Sequence, residues 1–232
     1  MNSQKVKKEL NQLKNAKRAA ISRRFFKTGK GEYGEGDRFL GIRMGGQRHV
    51  AKKYRNLNLR AIQSLLNSSV HEYRMVGLLI LNEQFKKADQ ARQEEITDFY
   101  IRNAKRVNNW DLVDLSAPHI LGGYLLERNR KILYRLAKSK NLWERRISIM
   151  ATFTFIRENQ FRDTLKIAKT LLGDEHDLIH KAVGWMLREL GKRDQAVEEK
   201  FLCQHYQTMP RTMLRYAIEK FSPNKRKFYL SK

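Results

Sequence analysis

Apolar residues recur every three or four positions along most of this chain, and this spacing is typical of amphipathic helices. In the opening segment the apolar positions alternate with Lys and Arg, and they are Val6, Leu10, Leu13, Ala20, Ile21 and Phe25. We therefore predict a basic amphipathic helix over residues 1–27. The only prolines stand at 118, 210 and 223, so long proline-free stretches favour helix over sheet.

A glycine-rich stretch over residues 28–38 interrupts the helical pattern. Its segment Gly-Lys-Gly-Glu-Tyr-Gly at 29–34 matches the GxGxxG spacing of dinucleotide-binding folds, in which it follows a strand and opens a helix. Here it follows a predicted helix instead. We expect a flexible loop rather than a nucleotide site.

Four later segments resemble one another, because each begins with a cation followed by an apolar run. The cations are Arg74, Arg146, Lys181 and Arg211. Their separation is about 35 residues, with one double step, as in two-helix repeats. Shorter helical patterns precede them, for example at 132–137 and 165–172. The pattern predicts an all-α protein, with a single domain over 1–232 and HEAT-like two-helix repeats over 39–232.

The charge balance indicates a polyanionic partner. Lys and Arg number 48 against 24 Asp and Glu, a formal net charge of +24 over 232 residues. Such an excess costs self-repulsion, and nucleic acid is the first partner to consider. The sequence holds no run of about 20 apolar residues and no apolar signal region after Met1, so we expect a soluble, cytoplasmic protein. Monomer is the simplest oligomeric state.

Metal and nucleophile signals are weak. His176 and His180 have the spacing of a zinc-protease helix, but Asp177 stands where the general-base Glu belongs and no third ligand is evident. Cys203 is the single cysteine, which excludes an internal disulfide and a cysteine-rich cluster. We expect no metal site.

The run Asn-Trp-Asp-Leu-Val-Asp at 109–114 places Trp110 and Asp114 about one helical turn apart, on one face of a helix that Pro118 would kink or bound. An indole can hold a sugar or base, and a carboxylate can stabilise positive charge. The pair therefore suits chemistry on nucleic acid. Among the other tryptophans, Trp143 is expected to pack in the core and Trp185 to lie at the edge of a concave face. The repeated cations would align along one side, where they suit a phosphate backbone.

These residues resemble a known family. The segments at 109–114, Asn-Leu-Trp-Glu-Arg-Arg at 141–146 and Lys-Ala-Val-Gly-Trp-Met-Leu-Arg-Glu at 181–189 are similar to signature segments of the AlkD-type DNA alkylation repair glycosylases. Segments 23–27 and 39–43 are similar as well. One departure is Gly45-Gly46, where the family has a helix-initiating segment with proline.

The resemblance implies a right-handed superhelical solenoid that holds double-stranded DNA in its concave groove. The implied activity is hydrolysis of the N-glycosidic bond of cationic alkylated purines, notably 3-methyladenine and 7-methylguanine, without flipping the base into a pocket and without metal or cofactor. Asp114 would be the catalytic carboxylate and Trp110 and Trp185 would flank the deoxyribose. Arg146, and less directly Arg188, would contact the DNA backbone.

Two other functions fit the same composition. A non-catalytic HEAT-type module that binds nucleic acid would have the charge and the repeats, with Trp110 and Asp114 as structural residues. A helical scaffold for an acidic protein partner would have weak DNA affinity.

Overall fold

The computed structural model describes residues 2–231, and its regular elements are helical, as the sequence predicts. Within that range one isolated parallel β-bridge joins Arg38 to Val70. The chain divides into two compact units, Met1–Ser116 and Ala117–Lys232, each with its own buried apolar core. The single repeat domain over 1–232 stays a prediction.

The first unit is built around one long central helix. Its helices are α1 (Ser3–Gln12), α2 (Ala16–Phe25), α3 (Met44–Lys53), α4 (Leu59–Leu66), α5 (His71–Lys87), α6 (Gln90–Arg102) and α7 (Trp110–Ser116), with a 3-10 turn at Ala104–Arg106. Helix α5 contacts α1, α3, α4, α6 and α7. Nearly all of its side chains from His71 to Leu81 are buried, so α5 forms the core against which α7 is placed.

The predicted helix over 1–27 is wrong in one respect, because two helices form there instead of one. The chain breaks at Asn15, which has extended backbone angles and accepts a hydrogen bond from the Arg18 amide at 2.9 Å, thereby capping α2. The Asn15 amide donates to the Leu40 carbonyl at 2.8 Å. This bond satisfies an amide that a continuous helix would have used internally.

Glycine allows the chain to return closely past the start of α2. Gly41 has φ of +77°, and a Cβ at this position would lie 2.3 Å from the Asn15 carbonyl oxygen and 2.4 Å from the Ala19 nitrogen. Both the backbone angle and the close approach exclude larger residues. Helix α3 then begins at Met44 despite the glycines at 45 and 46.

The second unit places its longer helices next to one another. After a π-helical turn at Pro118–Gly122, its helices are α8 (Gly123–Leu125), α9 (Lys131–Ala137), α10 (Leu142–Arg157), α11 (Arg162–Thr170), α12 (Asp177–Gly191), α13 (Gln195–His205), α14 (Arg211–Ala217) and α15 (Pro223–Leu230), with a 3-10 turn at Ile218–Lys220. Helix α12 packs between α10 and α14, while α9 and α11 pack on α10. Gly184 allows α14 to approach α12 closely, since a Cβ there would lie 2.3 Å from the Met213 carbonyl oxygen.

Several predicted features of this unit are confirmed. Short helices precede the long ones, as α9 precedes α10 and α11 precedes α12. Trp143 is buried in the core, as expected. Pro118 follows the end of α7 at Ser116 and stands at the first turn of the next element. No helix within residues 2–231 has the length and apolar character needed to span a bilayer.

Candidate active site

Trp110 is the first residue of α7, and its indole is half-buried against the end of α2. The ring stacks on Phe26, with 5.3 Å between centroids and 24° between planes. Phe25 meets it edge-on at 5.7 Å. The Trp110 amide donates to the Asn109 side-chain oxygen at 2.9 Å. Trp110 is therefore held from one side and keeps part of its surface accessible.

Trp110 belongs to a continuous group of rings, which we call the aromatic cluster: Phe25, Phe26, Phe39, His71 and Trp110. Phe26 stacks on Phe39 at 5.0 Å and 14°. Phe39 stacks in turn on the His71 imidazole at 4.6 Å and 23°. Offset stacking of this kind contributes about 0.5–1.5 kcal/mol per pair beyond burial, so the cluster links α2, α5 and α7.

The His71 ring also belongs to a second group of side chains, buried except for the part-buried Asp111, which we call the carboxylate network: Asp37, His71, Arg74 and Asp111. His71 Nε2 lies 2.9 Å from Asp111 Oδ2, and His71 Nδ1 lies 3.5 Å from Asp37 Oδ2. One Arg74 nitrogen donates to both Asp37 oxygens at 2.7 Å. Because Asp111 follows Trp110 directly, the network fixes the start of α7.

The network shifts the pKa values of Asp37 and His71 toward their charged forms. Burial alone would raise the pKa of Asp37, but the hydrogen bond from His71 and the charge of Arg74 outweigh it and hold that pKa below its usual range. Burial likewise opposes the charge on His71, but the charge and hydrogen bond of Asp111 outweigh it and raise the pKa of His71. Both shifts favour the charged pair of Asp37 and His71 over its neutral form.

Asp114 lies on α7 one turn after Trp110 and is half-buried. Next to it, the fully buried Tyr100 hydroxyl is 2.9 Å from the Ser116 hydroxyl. Burial raises the pKa of Tyr100, and the charge of Asp114 raises it further. Asp114 therefore lies within electrostatic reach of a neutral phenol. Helix α7 is also tied to α5, since the Asn82 side-chain amide donates to the Leu115 carbonyl at 2.9 Å.

In the second unit, Trp185 is half-buried on α12. Its indole N–H donates to Glu189 at 3.1 Å, and Phe153 of α10 lies 6.3 Å away between centroids. Glu189 also accepts from Lys192 at 2.7 Å. These contacts orient the indole on the surface of α12.

The two predicted DNA-contacting arginines have partners within the second unit. Arg146 is 4% exposed, and its guanidinium donates to the Leu178 carbonyl. Arg188 is ion-paired with Glu219 and lies 3.4 Å from Glu189. Contact of either arginine with a DNA backbone stays a prediction. Such a contact requires the hydrogen bond of Arg146 or the ion pairs of Arg188 to rearrange.

Of the other repeated cations, only Arg74 is placed where it has no access to a phosphate backbone. Arg74 is buried in the carboxylate network. Lys181 pairs with Asp177 one turn earlier at 2.7 Å, and Arg211 donates to the Leu230 carbonyl. Each of these cations has an acceptor within the chain, and the alignment of the surface cations along a DNA backbone stays a prediction.

The histidines at 176 and 180 have structural roles. His176 Nδ1 accepts from the Leu178 amide at 3.1 Å and caps α12, and His180 Nε2 bonds to the Asp174 carbonyl. Across residues 2–231 no group of three or more His, Cys, Asp or Glu side chains is arranged to hold a metal ion.

The glycine-rich loop is organised by its own carboxylates. Glu32 accepts from the Gly29 amide at 2.7 Å, and Glu35 accepts from the Gly31 amide at 2.8 Å. The amides that a GxGxxG loop offers to phosphate are therefore engaged here. The loop ends at Asp37, and in this way it supplies the central carboxylate of the network.

Comparison with known proteins decides the family. The family model of the DNA alkylation repair enzymes matches residues 6–221. This chain belongs to that family. The family resemblance seen in the sequence is thereby confirmed. The comparison with curated proteins found no match to the chain.

Solved structures share the fold of this family member. A predicted DNA alkylation repair enzyme from Enterococcus faecalis is similar with a TM-score of 0.71 and 16% identity, covering 90% of this chain and 97% of the other. AlkD2 from Streptococcus mutans is similar with a TM-score of 0.55 and 16% identity, covering 88% and 97%. At this identity the likeness concerns the fold alone.

Sequence reasoning missed the residues that support Trp110. Asp37, His71 and Asp111 come from a loop, the start of α5 and the start of α7, and no local spacing connects them. The one available signal was Asp111 itself, which lies between Trp110 and the apolar pair Leu112 and Val113. A carboxylate there had to find a buried partner elsewhere in the fold.

Proposed function

We propose that this DNA alkylation repair family member is a monofunctional DNA glycosylase, which hydrolyses the N-glycosidic bond of cationic alkylated purines in duplex DNA. The observation that carries the proposal is the pairing of Trp110 and Asp114 one turn apart on α7. Both are half-buried, so both retain surface for a substrate. The net charge of +24 supports DNA as the substrate.

The chemistry suits a site with one carboxylate. An alkylated purine such as 7-methylguanine is already cationic, so when the bond from N9 to C1′ breaks, the electron pair neutralises the base and no acid is needed to protonate it. The sugar is left as an oxocarbenium-like cation, as in glycoside hydrolysis. Water then adds to C1′ and loses a proton, giving the abasic site.

In this mechanism Asp114 stabilises the cationic sugar and takes part in orienting or deprotonating the water. Its surroundings support that role, because the low-dielectric environment around Tyr100 strengthens a nearby charge interaction. The face of Trp110 that the aromatic cluster leaves accessible would favour the same cation through its ring quadrupole.

Three further contacts belong to the proposal and stay predictions. Trp185 is proposed as a second indole against the deoxyribose, and Arg146 and Arg188 as contacts to the DNA backbone. Substitution of each by Ala, with excision and binding measured separately, tests whether it acts on the chemical step or on affinity.

The deciding experiment is an excision assay on a methylated duplex, with heat cleavage of abasic sites as the readout. Asp114→Asn and Trp110→Ala should keep DNA affinity and slow release of 7-methylguanine by about a hundredfold or more. Asp98→Asn is the matched control, since it removes the same charge from an exposed position on α6, and should excise at the wild-type rate.

Wild-type-like excision by Asp114→Asn would refute the assignment of the carboxylate. If the wild-type protein binds duplex DNA but releases no base, the result supports the alternative function, a non-catalytic module that binds nucleic acid.

A further inference from the structure

The first unit has two adjoining hollows at the end of α5 that lies away from the aromatic cluster. One, of about 590 Å³, is bounded by the connection from α3 to α4, the end of α5 and the start of α6. The other, of about 510 Å³, lies against α3. Arg55 and Asn56 line both hollows, so the two form one trough, which we call the basic trough. Helix α5 has 17 residues, which places Lys87 about 24 Å along the helix from His71.

Cations dominate the lining of the basic trough. They are Lys52, Lys53, Arg55, Lys87 and Arg92. Lys53 pairs with Glu9, and Arg92 pairs with Glu95. The other three cations are exposed and have no ion pair within residues 2–231. Their charges are therefore available to the anionic groups of a ligand.

The backbone between α3 and α4 adds hydrogen-bond donors to the trough. The Gln84 side-chain amide donates to the carbonyls of Arg55 and Leu57, at 2.7 Å in both cases, so these two acceptors are engaged. The backbone amides of Asn56 and Asn58 have no acceptor within residues 2–231. Asn58 is also the N-cap of α4, where the helix dipole adds partial positive charge. This segment therefore offers donors rather than acceptors, which suits carboxylate groups.

We propose that the basic trough is the docking surface for an extended acidic segment of a partner protein. The carboxylates of that segment pair with Lys52, Arg55 and Lys87. Arg55 is the central contact, because it lines both hollows and its guanidinium can hold a carboxylate through two parallel hydrogen bonds. The inference concerns a surface separate from Trp110 and Asp114 and does not rest on the glycosylase function.

A second nucleic-acid segment is the less favoured occupant of the trough. The phosphodiester backbone is negatively charged at every step and has no N–H donor, so Glu83 in the lining would repel it and find no partner on it. A peptide separates its carboxylates and presents backbone N–H groups. Glu83 and the side-chain oxygen of Asn56 can accept from those groups.

The test measures the binding of a fluorescein-labelled peptide of alternating Glu and Ser by fluorescence anisotropy. A peptide of alternating Gln and Ser is the neutral counterpart, and a length of about ten residues allows either peptide to span about 33 Å when extended. The salt concentration is kept at about 0.15 M, so that distant charges are screened. Wild type should bind the acidic peptide more than about tenfold more tightly than the neutral one.

Arg55→Gln should weaken binding of the acidic peptide about fivefold, because it removes a charge-assisted pair. Arg135→Gln is the matched control. Arg135 is exposed on α9 in the second unit and, like Arg55, has no ion pair within the described residues. It should bind the peptide as wild type does, and both variants should melt at the wild-type temperature.

Several results would overturn the docking proposal. Wild-type affinity of Arg55→Gln for the peptide would do so. Equal losses for Arg55→Gln and Arg135→Gln would show that net charge alone attracts the peptide. A loss of duplex affinity in Arg55→Gln as large as its loss of peptide affinity would assign the trough to nucleic acid. Self-association of wild type in sedimentation velocity, abolished by Arg55→Gln, would assign it to a second copy of the chain.

Duplex DNA separates this inference from the proposed function. Saturating unlabelled duplex should leave the acidic peptide bound, and Arg55→Gln should bind duplex and release 7-methylguanine at the wild-type rate. Displacement of the peptide by the duplex would contradict two separate surfaces. A wild-type protein that binds the peptide through Arg55 but releases no base keeps the docking surface and loses the glycosylase.

Discussion

At the scale of single residues, the His71 imidazole is buried between two carboxylates, and its removal leaves Asp111 without that partner. Breaking a buried pair by deleting one member costs about 3–5 kcal/mol. We expect His71→Gln to lower the free energy of unfolding by an amount near the lower end of that range. Urea denaturation measures it, and the exposed His49→Gln should change stability little; equal effects of both variants would contradict the network.

The pH dependence of this loss has a definite sign. The pKa of His71 is raised in the folded protein from an ordinary value of 6.5. The stabilisation from its charge is therefore complete below about pH 6.5 and is lost as the pH rises through the folded-state pKa. The stability difference between wild type and His71→Gln should shrink over that interval, and a difference that grows with pH would exclude a charged His71.

Glu198 on α13 presents the opposite case, a buried acid with an unsatisfied oxygen. Burial raises its pKa from 4.5 to about 9, and the charge of Glu199 adds to the effect. Between those values the unfolded chain has released the proton and the folded protein retains it, so stability falls as the pH rises, by at most about 1.4 kcal/mol per pH unit.

Glu198→Gln should therefore stabilise the protein by a margin that widens from pH 5 to pH 9. Thermal unfolding across that range checks it, with the exposed Glu158→Gln as control. A margin independent of pH would show that Glu198 stays ionised when folded.

At the scale of elements, two glycines make opposite predictions. Gly41→Ala would force φ of +77° and a contact of 2.3 Å on the Asn15 carbonyl, so it should destabilise the α2 start by several kcal/mol. A Cβ on Gly45 in the first turn of α3 meets nothing within 4 Å. Gly45→Ala should stabilise the protein by up to about 1 kcal/mol. Thermal unfolding of both variants tests this, and a melting temperature of Gly41→Ala equal to or above that of Gly45→Ala would contradict it.

The helices were predictable where their own sequence specifies them. The apolar periodicity placed α9 and α11 ahead of their longer partners, and Pro118 marked the boundary after α7. The break at Asn15 was not predictable from periodicity, because it depends on a hydrogen bond to Leu40 far along the chain. The same reason applies at the site: the Trp110 and Asp114 pair is local, whereas the carboxylate network joins three distant segments.

At the scale of the whole molecule, the net charge of +24 should make salt act in two opposing ways. Added salt screens self-repulsion and should raise the melting temperature. It also weakens phosphate contacts, so duplex affinity should fall steeply, with log affinity linear in log salt. Parallel melting and anisotropy measurements test both; an affinity indifferent to salt would favour a partner other than DNA.

The glycine-rich loop has a consequence for how the protein can vary. Through Asp37 and His71 it is mechanically connected to Asp111, the residue beside Trp110. We therefore expect that shortening or stiffening the loop would tilt the Trp110 indole, although the loop lies far from Trp110 in the sequence. Tryptophan emission would report the change, so the length and stiffness of this loop set the orientation of the first turn of α7.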